Sequence, residues 1–124
     1  NNPNVLEEVI NILFYIAEAD GNVSQEELDM IQRIAQIFSL NQSQFNSIKE
    51  SRKSSDKLNP YIVLESKPEE DLKTIRKKYL KLSKEHHPDL LMNKGVPIEV
   101  IEESKKKMRA INSAWDQIQK LKYN

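Results

Sequence analysis

An all-α fold is expected, in two small helical units. Three observations point there. The chain of 124 residues holds only two Gly, its apolar residues recur at spacings of three and four, and no stretch alternates as a half-buried strand does. Charged residues make up 31% and hydrophobic ones 38%, a balance that suits a helical protein with a modest core. The net charge of zero conceals a division: residues 1–58 carry five Lys/Arg against nine Asp/Glu, and residues 59–124 carry fourteen against ten. Opposite surfaces on the two halves favour two modules over one blended domain.

The first helix is expected over residues 4–19. Val5, Val9, Ile12, Leu13 and Ile16 share one face, and Leu6, Ile10, Phe14 and Ala17 widen it, so the helix wants burial on several sides. Asp20-Gly21 ends it. Ser24-Gln25-Glu26-Glu27 then reads as a capping box opening a second helix, with Leu28, Ile31, Ile34, Ala35 and Phe38 turned inward. A third runs from Asn41 or Ser43 to Arg52 and buries Phe45 and Ile48. Residues 1–53 thus form a first module.

The polar stretch Glu50 to Asn59 lacks an apolar period, and residues 54–58 within it are expected to be a linker. The second module, 59–124, opens with the short helix at Pro60-Tyr61-Ile62-Val63-Leu64, where Pro60 suits a first turn. A long helix is expected from Pro68 to about His86, since Pro88 turns His87 away from helical geometry. After a loop containing Gly95 and Pro97, a last helix covers Glu99 to Lys122. Leu72, Ile75, Tyr79, Leu82 and His86 on one helix face Ile101, Ser104, Met108, Ile111, Trp115 and Ile118 on the other. Seams of this kind close into an antiparallel hairpin.

Several function classes find no support. With no Cys, thiolate chemistry and disulfides are excluded. No nucleophile stands beside a base and no Gly-rich loop could cradle a phosphate, so no catalytic residue and no cofactor is expected. Asp20, Asn22 and Ser24 imitate the start of a calcium loop, but Gln25 occupies the Gly position and Ile31 the closing Glu position, so no metal is expected either. The longest apolar run, Ile12 to Ala17, is far short of the ~20 residues of a membrane span. Nothing near Asn1 reads as a signal peptide, and the missing initiator Met suggests a mature or excised piece.

What remains is a surface. Lys73, Lys77, Lys81 and Lys84, with Arg76 at the margin, lie opposite the apolar seam, a pattern that a solvated lysine face would also produce. Leu80 falls among these cations, and an apolar side chain inside a basic exposed stripe suggests docking. His87-Pro88-Asp89 follows. A loop that only turns the chain would use Gly or Asn there, and a carboxylate after the negative end of a helix gains nothing from the dipole. The alternative is a helix-end His pair whose charge suits that dipole.

Residues 61–122 resemble the J domain of the DnaJ family. The likeness rests on Tyr61 and Leu64, on Ile75-Arg76-Lys77-x-Tyr79-x-Lys81-Leu82, on His87-Pro88-Asp89, and on Met108-x-x-Ile111-x-x-Ala114-Trp115-x-x-Ile118. His86-His87-Pro88-Asp89 followed by Lys94-Gly95-x-Pro97 is similar to the DjlA-like branch of the family. The resemblance implies a co-chaperone that binds a DnaK-type chaperone and stimulates its ATP hydrolysis. It implies His87, Pro88 and Asp89 as contacts, supported by Arg76, Lys77 and Lys81, with Leu80 on the same face. The absence of Cys makes a reduced cytoplasmic setting the default expectation, and the resemblance adds the face of a membrane where an anchor lies upstream. Leu80 and Leu90 stand where many members are basic, and Glu65 stands where a Gly often ends the first helix.

The stretch Ala17-Glu18-Ala19-Asp20-Gly21-x-Val23-Ser24-x-x-Glu27 resembles part of a TerB-like (tellurite resistance) helical domain. Complete domains of that kind carry further helices upstream. Without them the wide apolar face of the first helix is expected to be exposed and to promote self-association. Two rival readings stay open: nucleic-acid binding through the Lys-rich helix and Lys105-Lys106-Lys107, disfavoured by the absence of interleaved exposed aromatics, and a purely structural helical adaptor.

Overall fold

The computed structural model describes residues 3–123. Six α-helices follow one another among them: α1 (Pro3–Ala17), α2 (Gln25–Ile37), α3 (Gln42–Ser51), α4 (Pro60–Val63), α5 (Leu72–Glu85) and α6 (Ile98–Tyr123). Among the described residues there is no strand, and no helix is long and apolar enough to cross a membrane.

Local chemistry sets the boundaries. A short 3-10 turn, Glu18–Asp20, extends α1, and Gly21 at φ 116° breaks it off in a conformation that L side chains rarely adopt. The capping box expected at Ser24 is present: Glu27 N–H donates to Ser24 Oγ at 3.1 Å, and Ser24 N–H donates to Glu27 Oε1 at 2.9 Å. Asn41 and Gln44 repeat the device at the start of α3, with both bonds at 2.8 Å.

The first core gathers Ile10, Phe14, Ile31, Ala35, Leu40, Phe45 and Ile48, with the rings of Phe14 and Phe45 5.8 Å apart. This corrects the expected inner face of α1. Val5, Val9 and Ile16 point outward, the last at 61% exposure, while Ile10 and Phe14 are buried. A helix apolar around most of its girth carries no periodic signal for its rotation; the bulk of Phe14 and the needs of Glu7, Glu8 and Asn11, all buried, set it instead.

The end of α3 is tied to the start of the second module: Glu50 and Ser51 of α3 are buried, and Glu50 accepts the N–H of Asn59 at 2.7 Å. Residues 54–58 form a hydrogen-bonded turn on the Ser54 carbonyl, and Leu58 is buried in the second core. The polar residues between Arg52 and Leu58 are exposed, and the stretch is anchored at its two ends, by Glu50 and Ser51 on one side and Leu58 on the other.

Asn59 caps α4, with Pro60 in its first turn. Glu65 ends the segment at φ 54°, the left-handed conformation that Gly would adopt without strain. The long helix begins at Leu72 and not at Pro68, because Asp71 accepts the N–H of Thr74 at 2.8 Å as N-cap. The preceding residues form a turn in which Lys67 N–H donates to Glu70 Oε1 at 2.7 Å. Lys78 ties that turn to α5 through Glu70 and the Glu65 carbonyl.

Helices α5 and α6 pair antiparallel: Lys122 Nζ reaches the Pro68 carbonyl, Tyr79 Oη donates to Asn112 Oδ1, and Ser104 Oγ donates to the His86 carbonyl. Between them and α4 lie Val63, Leu64, Ile75, Leu82, Ala110, Ile111, Ala114 and Ile118, all buried. Tyr79 stacks on Trp115 at 5.2 Å and 12°.

A polar seam joins the two cores. Arg52 meets Glu18 at 2.8 Å and Glu103 at 2.7 Å, and also donates to Asn11 Oδ1 at 2.6 Å. Lys107 donates to Ser47 Oγ and Ser51 Oγ at 2.8 and 3.0 Å. Those hydroxyls in turn donate hydrogen bonds to the carbonyls of Val63 and Ser47. A buried charge survives only when its partners are arranged this way.

Candidate functional site

The end of α5 builds the corner. His86 is its C-cap and donates its N–H to the Leu82 carbonyl at 2.9 Å. His87 is extended (φ −65°, ψ 129°), as the following Pro88 demands. Pro88–Leu90 then form one 3-10 turn, in which Leu90 N–H donates to the His87 carbonyl and Leu91 N–H to that of Pro88, each at 3.0 Å. His87 Nδ1 accepts the N–H of Asp89 at 3.2 Å.

His87 and Asp89 are both turned to solvent, their side chains 54% and 78% exposed, and Nδ1 lies 3.5 Å from Asp89 Oδ2. No Lys or Arg of the described residues pairs with Asp89. An uncompensated carboxylate on a rigid turn, with an imidazole beside it, is equipped to meet a cation on another molecule.

The basic face leads to this corner. Lys73, Arg76, Lys77, Lys81 and Lys84 are exposed on α5, and Leu80 is 45% exposed among them. At 1.5 Å per residue, Lys81 stands about 9 Å and Arg76 about 16 Å along the helix from His87. Lys81 approaches Glu85 only to 3.9 Å and remains free to engage elsewhere. Arg76, Lys77, Leu80 and Lys81 therefore form a stripe along α5 that runs toward the tripeptide at the tip of the hairpin. Leu90 is also exposed, and with Asp89 it borders an open apolar groove of about 840 Å³ shared with Val5, Val9, Ile12 and Leu13 of α1.

The run Lys105-Lys106-Lys107 is not a basic patch. Lys105 pairs with Glu102, Lys106 with Glu103, and Lys107 is buried in the seam. No cluster of three or more His, Asp or Glu suited to a metal occurs among the described residues.

Directly behind the corner lies His86, whose burial the seam foretold but whose partners periodicity did not reveal. The ring of His86, 2% exposed, sits between two carboxylates of α1, with Nε2 3.5 Å from Glu7 Oε1 and Nδ1 3.7 Å from Glu8 Oε1. Burial disfavours the charged ring, but Glu7 and Glu8 outweigh it and raise its pKa. Only the doubly protonated ring offers a proton to both. Burial drives Lys107 the other way, down to about 8, although Glu7, Glu65 and Glu8 oppose it. Burial, aided by Glu7, raises the carboxyl of Glu65. Two adjacent carboxylates and Asn11 inside an otherwise apolar helix were the available signal.

Comparison with known proteins agrees with this geometry. The family model described as DnaJ domain matches residues 59–122, and that described as tellurite resistance protein TerB matches residues 1–50. The co-chaperone protein DjlA of Vibrio parahaemolyticus is 47% identical over 62 residues, 50% of this chain and 22% of the relative. That of Escherichia coli K12 is 45% identical over 60 residues, 48% of this chain and 22% of the relative. That of Photorhabdus laumondii is 43% identical over 60 residues, with the same coverage. The chain thus spans about a fifth of the length of the curated relatives it matches. No solved structure matches. With more than half of its residues matched, with the hairpin closed and with the tripeptide at its corner, the chain belongs to the DnaJ-domain family, its J domain preceded by TerB-like helices.

Proposed function

We propose that this chain is a co-chaperone module that binds a DnaK-type chaperone and stimulates its ATP hydrolysis, without catalysis of its own. The observation that carries the reading is the exposed Asp89 carboxylate, unpaired by any Lys or Arg of the described residues, at the end of a helix lined with Arg76, Lys77, Leu80 and Lys81. In this reading Asp89 meets a cation of the ATPase, His87 and Pro88 hold the turn that presents it, and the basic face meets an acidic surface. Leu80 contributes apolar area within that contact. Residues 1–53 and 59–124 act as two modules joined at 54–58, and work in the cytoplasm alongside such an ATPase. The curated relatives carry the name co-chaperone, which supports the assignment.

Single-turnover ATP hydrolysis by a DnaK-type chaperone, with and without this chain, tests it. Stimulation is expected, and is expected to vanish in His87→Gln and Asp89→Asn while the far-UV circular dichroism is unchanged. Equal stimulation by those variants would exclude the mechanism. Nucleic-acid binding is the weaker reading, since burial of Lys107 and pairing of Lys105 and Lys106 remove one of its two basic stretches.

A further inference from the structure

The residue before the tripeptide is held on every side. Its N–H is bound to Leu82 within α5, its carbonyl accepts from Ser104 Oγ of α6 at 3.3 Å, and its ring is held between Glu7 and Glu8 of α1. Successive residues on a helix diverge by about 100°, so the two adjacent carboxylates straddle the ring from two directions. Neither contact is short enough for a good hydrogen bond; both are ion-pair distances at a largely buried site. A core residue needs no such arrangement: an apolar side chain at position 86 would fill the space with no buried charge to compensate.

We propose that Glu7 and Glu8 are positioning residues for the His87-Pro88-Asp89 corner: by clamping His86 they fix the direction in which the corner leaves α5, so the N-terminal module sets the output of the J domain. The inference rests on the co-chaperone reading above. The clamp spans the boundary between modules, since Glu7 and Glu8 belong to the first and His86 to the second. It acts one peptide bond from His87.

The charges around the ring make the clamp sensitive to proton concentration. Glu7 and Glu8 face it from α1 and favour the imidazolium; Lys107 of α6 opposes it. Ser104 of α6 contributes only a hydroxyl, and Glu85 and His87 flank it along the chain. Glu65 acts at one remove, through Glu7. With the ring charged, Glu7, Glu8, His86 and Lys107 sum to zero. Loss of the imidazolium proton leaves two buried carboxylates against one ammonium, and the clamp loosens.

The test uses the full chain in two arms. In the first, single-turnover stimulation of a DnaK-type ATPase, taken as the ratio to the basal rate, is compared for the wild type, His87→Gln and the double variant Glu7→Gln/Glu8→Gln. The double variant is expected to lose stimulation by about fivefold or more, in the range of ordinary coupling between sites. In the second, the ring resonances of both histidines and the backbone amides of His87, Asp89 and Leu90 are followed by NMR against pH. The amides are expected to show a transition that tracks His86, with a midpoint above 6.5 and distinct from that of His87. In the double variant, burial acts unopposed and the His86 midpoint should drop below 6.5.

A wild-type chain that fails to stimulate the ATPase overturns the co-chaperone reading. Stimulation retained in full by the double variant overturns the clamp alone. So do loop amides that ignore the His86 transition, a result obtained on the wild type even where the double variant does not fold. A role confined to stability would lower the unfolding midpoint without coupling the amides of the corner to the ring of His86.

Discussion

Arg52 lies 2.7 Å from Glu103, across 51 positions of sequence, and both side chains are almost fully withdrawn from water. The pair closes the seam between the modules, with Glu18 and Asn11 completing the guanidinium's partners. Removal of one member leaves the other as an uncompensated buried charge. Arg52→Ala is therefore expected to destabilise the chain by about 3–5 kcal/mol in urea unfolding. Because the seam binds one core to the other, Trp115 fluorescence, which reports the second core, and far-UV circular dichroism should give coincident wild-type transitions. Separate transitions would mean that the seam does not couple the modules.

The same seam marks the limit of what the residues reveal unaided. Leu72, Ile75, Tyr79, Leu82 and His86, and Ile101, Ser104, Met108, Ile111, Trp115 and Ile118, were expected to face one another, and every one of them is buried or half-buried. That seam was legible because most of its members are apolar and recur at helical spacing. A second buried row on α6, Glu103, Lys107, Ala110 and Ala114, has the same spacing but begins with charges. Period cannot distinguish a charge paired inside from one in water; the partners, Arg52, Ser47 and Ser51, come from a distant stretch of chain. The tripeptide corner was legible for the opposite reason, since its residues serve neither the turn nor the helix end. The clamp on His86 was not, because Glu7 and Glu8 meet it only once the modules dock.

Leu82 and Leu80 lie two positions apart on α5 and should behave in opposite ways. Leu82 is 5% exposed between the helices, and Leu82→Ala is expected to cost about 2–5 kcal/mol, as is Ile111→Ala. Leu80 is 45% exposed, so Leu80→Ala should alter stability by no more than about 0.5 kcal/mol. In the ATPase assay the same substitution should raise the concentration of chain needed for half-maximal stimulation. A Leu80→Ala variant as potent as the wild type would remove Leu80 from the docking face.

Lys107 makes stability depend on pH with a definite sign. Its folded pKa, about 8, lies below the ordinary 10.5, so between those values the unfolded chain holds more protons than the folded one. Stability then rises with pH across that window, by about 3 kcal/mol from this group. The slope should be absent in Lys107→Met, and the difference between the two chains in urea unfolding from pH 7 to pH 10 measures it. His86 works the other way. Its raised pKa contributes stability that is complete below about 6.5 and is lost as pH climbs through the folded value. His86→Gln should abolish that decline.

The basic face of α5 should reveal itself through salt. Contact between exposed cations and an acidic surface is screened, with the Debye length falling from ~10 Å at 0.1 M to ~3 Å at 1 M ionic strength. Lys77 and Lys81 are exposed, and neither is held in a close ion pair. Added salt is therefore expected to raise the half-saturating concentration of the wild type in the ATPase assay. Lys77→Ala/Lys81→Ala should start from a higher value and respond less to salt, because the charges being screened are gone. Asp89→Asn should differ from both. With the pairing carboxylate absent, the maximal stimulation falls and added chain does not restore it. A double Lys variant with an unchanged salt response would show that the steering charges lie elsewhere on the chain.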